Sequence, residues 1–238
     1  MKTLFLLTIK SAARDFYLLL WSLAVPVGTS LLLGTLIKDP EYMKRISVGM
    51  TAVSIVFYAF SVTAYTIMAQ RKRGVYSLLR VTSMGLWEYV CSVSSAWVLI
   101  SVVCGIVVLS VCKAAFGFPL SLLFVAALPP VLAAAAAGYI CCSFYISGKV
   151  RDEAQMSMVT NLILFPLLFC SDAFYSLEKA PSIFRMLSFI NPLQWFLNGI
   201  HAALDQNAGR YLVYFGLLLV FLLGALGLSL RSFHSKDV

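Results

Sequence analysis

The stretch Tyr211-Leu-Val-Tyr-Phe-Gly-Leu-Leu-Leu-Val-Phe-Leu-Leu-Gly-Ala-Leu-Gly-Leu-Ser-Leu230 runs without a single charged side chain. About 20 such residues are what a helix needs to cross roughly 30 Å of hydrocarbon. In lipid each backbone N–H and C=O must be satisfied within the segment, so a helix is the form this run takes. Similar charge-free runs occur at Phe16 to Ile37, Ile46 to Ala69, Tyr89 to Cys112 and Leu120 to Ile146, with a shorter one at Met156 to Ser171. A charge at the centre of a lipid-spanning helix costs roughly 2.5–3.5 kcal/mol, which is why these runs locate spans. The expectation is one all-α integral membrane domain over residues 1–238, with six transmembrane helices at about 16–37, 48–69, 88–112, 120–146, 155–171 and 210–230. Pro166 is expected to kink the fifth near its end.

Composition agrees with this reading. Of 238 residues, 61% are apolar and 12% are charged, about half the charge of a typical soluble domain. Six spans and short connectors use nearly the whole length, so no attached nucleotide-binding domain fits.

Lysine and arginine counts set the orientation. With both termini in the cytoplasm, the inner side holds Lys2, Lys10, Arg14, Arg71, Lys72, Arg73, Arg80, Lys149, Arg151, Arg231 and Lys236. The outer side holds Lys38, Lys44, Arg45, Lys113, Lys179, Arg185 and Arg210. The net charge of +8 then reads as anchoring to anionic inner-leaflet lipid, and nucleic acid is not an expected partner. Met1 to Ala13 resembles a signal peptide in outline, but its apolar core from Thr3 to Ile9 is short. With Lys10, Arg14 and Asp15 it suits an amphipathic helix lying along the inner surface, and no removal is expected.

Chemistry on this chain is limited by inventory. Cys91, Cys104, Cys112, Cys141, Cys142 and Cys170 sit in or beside apolar runs without metal-site spacing, so they read as small buried hydrophobes. Cys112 and Cys170 both fall near the outer face, which leaves a disulfide between them open. Only His201 and His234 are present, and no carboxylate cluster at membrane depth could serve a metalloprotease. Around Gly148 and Lys149 a phosphate-binding loop is excluded, because Ser143 replaces its first glycine and Val150 its Ser or Thr. No enzyme activity, bound cofactor or metal is expected of this chain.

Two regions exceed what a plain bundle needs. The connector at 70–88 runs Gln70-Arg-Lys-Arg-Gly74-Val-Tyr-Ser-Leu-Leu79-Arg-Val-Thr82-Ser-Met-Gly85-Leu-Trp87-Glu88. Val75 to Val81 can form a short helix with Val75, Leu78 and Leu79 on one face. The alternative is a positive-inside loop anchored by Trp87 and Tyr89. The outer segment at 172–209 holds two apolar pieces, Ser182 to Ile190 and Leu193 to Leu204, broken at Asn191-Pro192, where proline cannot continue the ladder. A re-entrant pair of helices dipping into the outer leaflet is expected, with an interfacial hairpin anchored by Trp195 as the alternative.

In this order, on a six-span chain, these regions resemble the permease subunit of a type 2 ATP-binding-cassette exporter over nearly the whole length. Gly74, Leu78, Leu79, Thr82, Trp87, Glu88 and Tyr89 fit that family's connector, with Gln70 where an acid is usual and Gly85 near a common proline. Pro166, Phe169, Ser171, Pro181, Asn191 and Pro192 fit its carboxy-terminal pattern, with Asp172 in place of a usual glycine. The resemblance implies a half-transporter that pairs with a second identical or similar permease. It also implies two separate ATPase subunits, which hold the ATP and Mg, and a pore between the halves worked by alternating access. It implies a multi-pass cell-membrane location, and a separately encoded half-permease of this size is bacterial in style. A non-transporting scaffold and a lipid-modifying enzyme are the competing classes.

Three site expectations follow. Gln70, Arg71, Lys72, Arg73, Gly74, Leu78, Leu79, Trp87 and Glu88 form the element that meets the ATPase, with Arg151, Asp152 and Glu153 as a smaller contact; Glu88 pairs with a nearby cation. Ser54, Tyr58, Ser61 and Tyr65 recur at steps that share one helical face and, with Ser157 and Asn161, line the substrate path; the alternative is hydrogen bonding between helices. Small apolar outer segments suit an amphipathic cargo such as a drug, peptide or lipid. Ala133 to Gly138 reads as a close-packing surface.

Overall fold

The computed structural model describes residues 2–14, 16–75, 86–118, 121–177 and 180–234. Among these residues every regular element is a helix. They are α1 Lys2–Arg14, α2 Phe16–Ile37, α3 Pro40–Val56, a π-helical turn Phe57–Val62, α4 Thr63–Lys72, α5 Leu86–Phe116, α6 Leu122–Lys149, α7 Glu153–Phe169, α8 Ser182–Ser188, α9 Pro192–Leu204 and α10 Ala208–His234. The segment Pro40–Lys72 is continuous, and with Glu88–Phe116, Leu123–Lys149 and Ala208–Ser229 it makes four helices long and apolar enough to cross a membrane. Two further apolar segments, Ser22–Ile37 and Glu153–Phe169, are shorter.

Several helices overrun the charge-free runs. The second starts at Pro40 where the apolar run starts at Ile46, and the fourth ends at Lys149 where the run ends at Ile146. A helix is held by its own backbone bonds and needs no apolar side chains to continue, whereas the first charge marks where lipid can end. The starts are set by caps. Asp39 accepts from Glu41 N–H at 3.1 Å with Pro40 in the first turn, Ser121 Oγ from Phe124 N–H at 3.1 Å, and Asp152 Oδ1 from Gln155 N–H at 2.7 Å. Each satisfies a donor that the first turn leaves free.

Pro40–Lys72 is the centre of the bundle. Its most apolar stretch is 89% buried against other helices, compared with 17% for Ala208–Ser229. Leu212, Val213, Val220 and Leu223 on α10 are accordingly exposed, as lipid-facing side chains must be. Aromatic rings tie the centre to its neighbours. Tyr58 meets Trp97 of α5 at 5.6 Å, and Tyr139 of α6 meets Phe60 at 6.3 Å and Phe221 of α10 at 5.2 Å, both edge-on. Glycine lets one pair of backbones touch: a Cβ on Gly49 would come within 2.0 Å of the Ala173 carbonyl oxygen. That contact seats the segment after α7 directly on the central helix. All six cysteines are free thiols, and Cys112 Sγ lies 3.1 Å from Ser30 Oγ.

Candidate functional site

The basic end of the bundle collects the ends of α4, α6 and α7. The last carbonyls of α6 have no partner within their own helix and carry its negative dipole end. Arg71, on the last turn of α4, supplies the missing donors. Its Nη1 reaches Ser147 O at 2.7 Å and Gly148 O at 3.1 Å, and its Nη2 reaches Val150 O at 3.0 Å. One residue on, Lys72 Nζ lies 3.2 Å from Glu153 Oε1 in the first turn of α7. Gln70 Oε1 accepts from Tyr89 Oη at 2.7 Å, which brings the start of α5 to the same place.

Two stretches far apart in sequence therefore form one surface. Arg73, Glu88, Arg151, Asp152 and Glu153 are exposed on it, and Gly74 turns the chain with a φ of 73°, a conformation that glycine adopts without strain. Among the described residues Glu88 has no ion-pair partner. Leu78, Leu79 and most of the short helix expected at Val75 to Val81 lie outside the described residues, as does the side chain of Trp87.

The residues expected on the substrate path divide into two groups. Ser54, Tyr58 and Ser61 are buried inside the protomer and Tyr65 is half-buried. Ser54 Oγ donates to Ser22 O of α2 at 2.7 Å. Their even spacing presumes 3.6 residues per turn, but the chain widens into the π turn at Phe57–Val62. A widened turn displaces carbonyls from their usual partners. Both the Thr63 N–H and, at 3.3 Å, Thr63 Oγ1 turn to Tyr58 O. Ser143 Oγ of α6 stands at 2.8 Å from Phe60 O, 3.1 Å from Ala59 O and 3.0 Å from Tyr139 O. A hydroxyl has one proton, so it serves these three acceptors in turn. Ser157 and Asn161 are different: they lie a turn apart on α7, 3.5 Å from each other, with Asn161 exposed.

At the opposite end Asn191 joins two helices. Its Nδ2 donates to Leu167 O and Cys170 O, both at 2.8 Å, closing the end of α7, while its Oδ1 accepts from Leu193 N–H at 2.9 Å and starts α9. Pro192 occupies the first turn of α9, where a missing N–H costs nothing. Pro166 lies within the last turn of α7, Ser171 Oγ donates back to Leu168 O at 2.8 Å, and Pro181 precedes α8. Asp172 and Gln194 bond reciprocally: Asp172 N–H donates to Gln194 Oε1 and Gln194 Nε2 to Asp172 Oδ2, each at 2.8 Å. His201 sits beside the 3.0 Å Lys44–Asp205 ion pair. Burial, then the charge of Lys44, hold its imidazole below the ordinary histidine pKa.

Arg71 as a cap, Ser143 at the π turn and Gln194 opposite Asp172 were not singled out by sequence reasoning. The only sequence signal for the first is its place after an apolar helix. For Ser143 it is a lone hydroxyl in an apolar run, and Gln194 carried none.

Among the described residues the bundle has four helices long and apolar enough to cross a membrane, with Arg71 and Lys72 at one end and Asn191-Pro192 at the other. The family description for ABC-2 type transporters matches residues 1–204, and the chain belongs to that family. It is a membrane transport domain of the permease type, and permeases of this family work with an ATPase and a second permease subunit. No curated protein matches the chain.

Proposed function

We propose that this chain is the membrane-spanning half-transporter of an ATP-driven exporter, forming its path with a second identical or similar permease and driven by two ATPase subunits at the basic end. The observation that carries this is the junction of Arg71 with the end of α6 and of Lys72 with Glu153. Force from a soluble motor must enter through an element that does not yield, and three helix ends cross-braced by charge-assisted bonds meet that need. The connector at 70–88, including Leu78 and Leu79, lies against the ATPase, and Arg151, Asp152 and Glu153 complete the contact. ATP and Mg stay with the partner.

In this reading α2 and α7 join the four long helices to give six spans, with both termini and the basic end in the cytoplasm and α1 along the inner surface. The pair α8–α9 enters the outer leaflet without crossing. Ser157 and Asn161 on the exposed side of α7 belong to the path of an amphipathic cargo. Ser54, Tyr58 and Ser61, packed within the protomer, reach that path only if the helices shift. The test is Leu79→Asp with Glu88→Ala in the intact complex. Loss of ATPase co-purification, or ATP hydrolysis uncoupled from transport in a membrane-inserted protein, is expected. Normal binding and transport in both variants would refute the coupling role.

A further inference from the structure

At the Asp172 end a cavity of about 440 Å3 lies between α3, the segment after α7, α8, α9 and α10. Ligand pockets span roughly 300–1,000 Å3, so this one suits a single compact group. Its polar lining has a surplus of donors. The acid in the wall is already occupied: Asp172 Oδ1 accepts from Leu177 N–H at 2.7 Å and Oδ2 from Gln194 Nε2 at 2.8 Å. Gln194 Nε2 also donates to Asn198 Oδ1 at 3.0 Å, which leaves the Asn198 amide N–H groups without a described partner. Arg185 is exposed at the rim, and its guanidinium forms no ion pair or hydrogen bond with any described residue. Arg45 has only Glu41, at 3.7 Å. Tyr214 and Ser176 line the same space.

The helix that carries Arg185 is apolar beside it. No residue of α8 is buried, and beside Arg185 its Ile183 and Met186 are 69% and 74% exposed, with Phe189 and Ile190 following at 79% and 74%. Guanidinium pairs phosphate oxygens through forked, charge-assisted bonds, and an apolar helix face beside it suits an acyl chain. We propose that this cavity binds the phosphate headgroup of an anionic phospholipid of the outer leaflet, held by Arg185 and Arg45, with its tails along α8. This rests on the membrane orientation given above, but not on coupling to an ATPase.

The test uses the full-length purified chain without partners, in nanodiscs of phosphatidylcholine doped with phosphatidylglycerol. Lipid retained after transfer to detergent is counted by native mass spectrometry. Wild type should retain phosphatidylglycerol preferentially, and Arg185→Gln should lower its retention about tenfold, the loss of roughly 1.4 kcal/mol. Arg185→Lys should restore it partly, and Arg210→Gln, a nearby exposed charge away from the cavity, should leave it unchanged. Arg185 has no described partner, so folding is not at stake, and a matching melting temperature verifies this. Equal retention of the two lipids, undiminished retention in Arg185→Gln, or an equal fall in Arg210→Gln would overturn the proposal. So would displacement of the lipid by inorganic phosphate alone, which would mark a free-anion site. Failure of ATPase co-purification would refute the half-transporter reading and leave this result standing.

Discussion

Arg71 and Lys72 are neighbours in sequence but bind different helix ends. As part of a basic cluster Arg71 marks a cytoplasmic connector, yet its guanidinium also closes α6 through three carbonyls. Hydrogen bonds from a charged group contribute about 1.5–3 kcal/mol, so Arg71→Ala should destabilise the protein by about 2–3 kcal/mol, read as a lowered melting temperature in detergent. Arg71→Lys should recover only part, since an ammonium cannot span carbonyls two residues apart. By contrast Lys72–Glu153, with side chains 46% and 70% exposed, is a surface pair worth about 0–1 kcal/mol. Its Ala variants should barely shift melting. His201 gives a pH dependence. Its folded-state pKa is depressed by burial and by Lys44, with Arg45 adding to this and Asp205 and Asp172 opposing it. The unfolded chain therefore binds the proton more readily, so full stability holds above the ordinary value of about 6.5 and is lost as pH falls below it toward the folded value. His201→Gln should flatten that acid limb of the melting curve; an unchanged limb would show that His201 does not set it.

Elements show where sequence reading succeeds and where it stops. The apolar runs were legible because charge is excluded from lipid, and the break at Asn191-Pro192 because proline cannot donate. The π turn at Phe57–Val62 was not legible, since Phe-Tyr-Ala-Phe-Ser-Val suits an ordinary helix and the widening is stabilised from another helix by Ser143. The even spacing of Ser54, Tyr58, Ser61 and Tyr65 runs across the same π turn, and periodicity reports a face but not whether that face meets a neighbour or a cavity. Ser143→Ala removes the hydroxyl that reaches Ala59 O and Phe60 O, at a cost of about 1–3 kcal/mol for the group left unsatisfied. It should speed amide exchange within Phe57–Thr63 more than elsewhere; uniform exchange would show that the turn holds without Ser143. Gly49→Ala is the corresponding test of close approach. Its new methyl would meet backbone at Ala173, which cannot rotate away, so about 1–3 kcal/mol of overpacking strain is expected, with loss of thermal stability as the readout.

Across the whole molecule the two ends differ in kind. One joins α4, α6 and α7 through basic side chains, and the other joins α7 and α9 through Asn191, Asp172 and Gln194, with Gly49 of the central helix packed against Ala173. This asymmetry predicts sidedness: a cysteine at Arg73 should label only from the cytoplasm and one at Gln206 only from outside, and labelling of both from one side would overturn the orientation. The most direct test of ATPase docking at the basic end is a photo-crosslinking residue placed at Arg73 or at Gln206 in cells that express the intact transporter. Capture at Arg73, and not at Gln206, of a subunit identified by mass spectrometry as carrying a phosphate-binding loop is the expected result. Capture of that subunit at Gln206, or at neither position while it still co-purifies, would contradict the placement of the motor at this end.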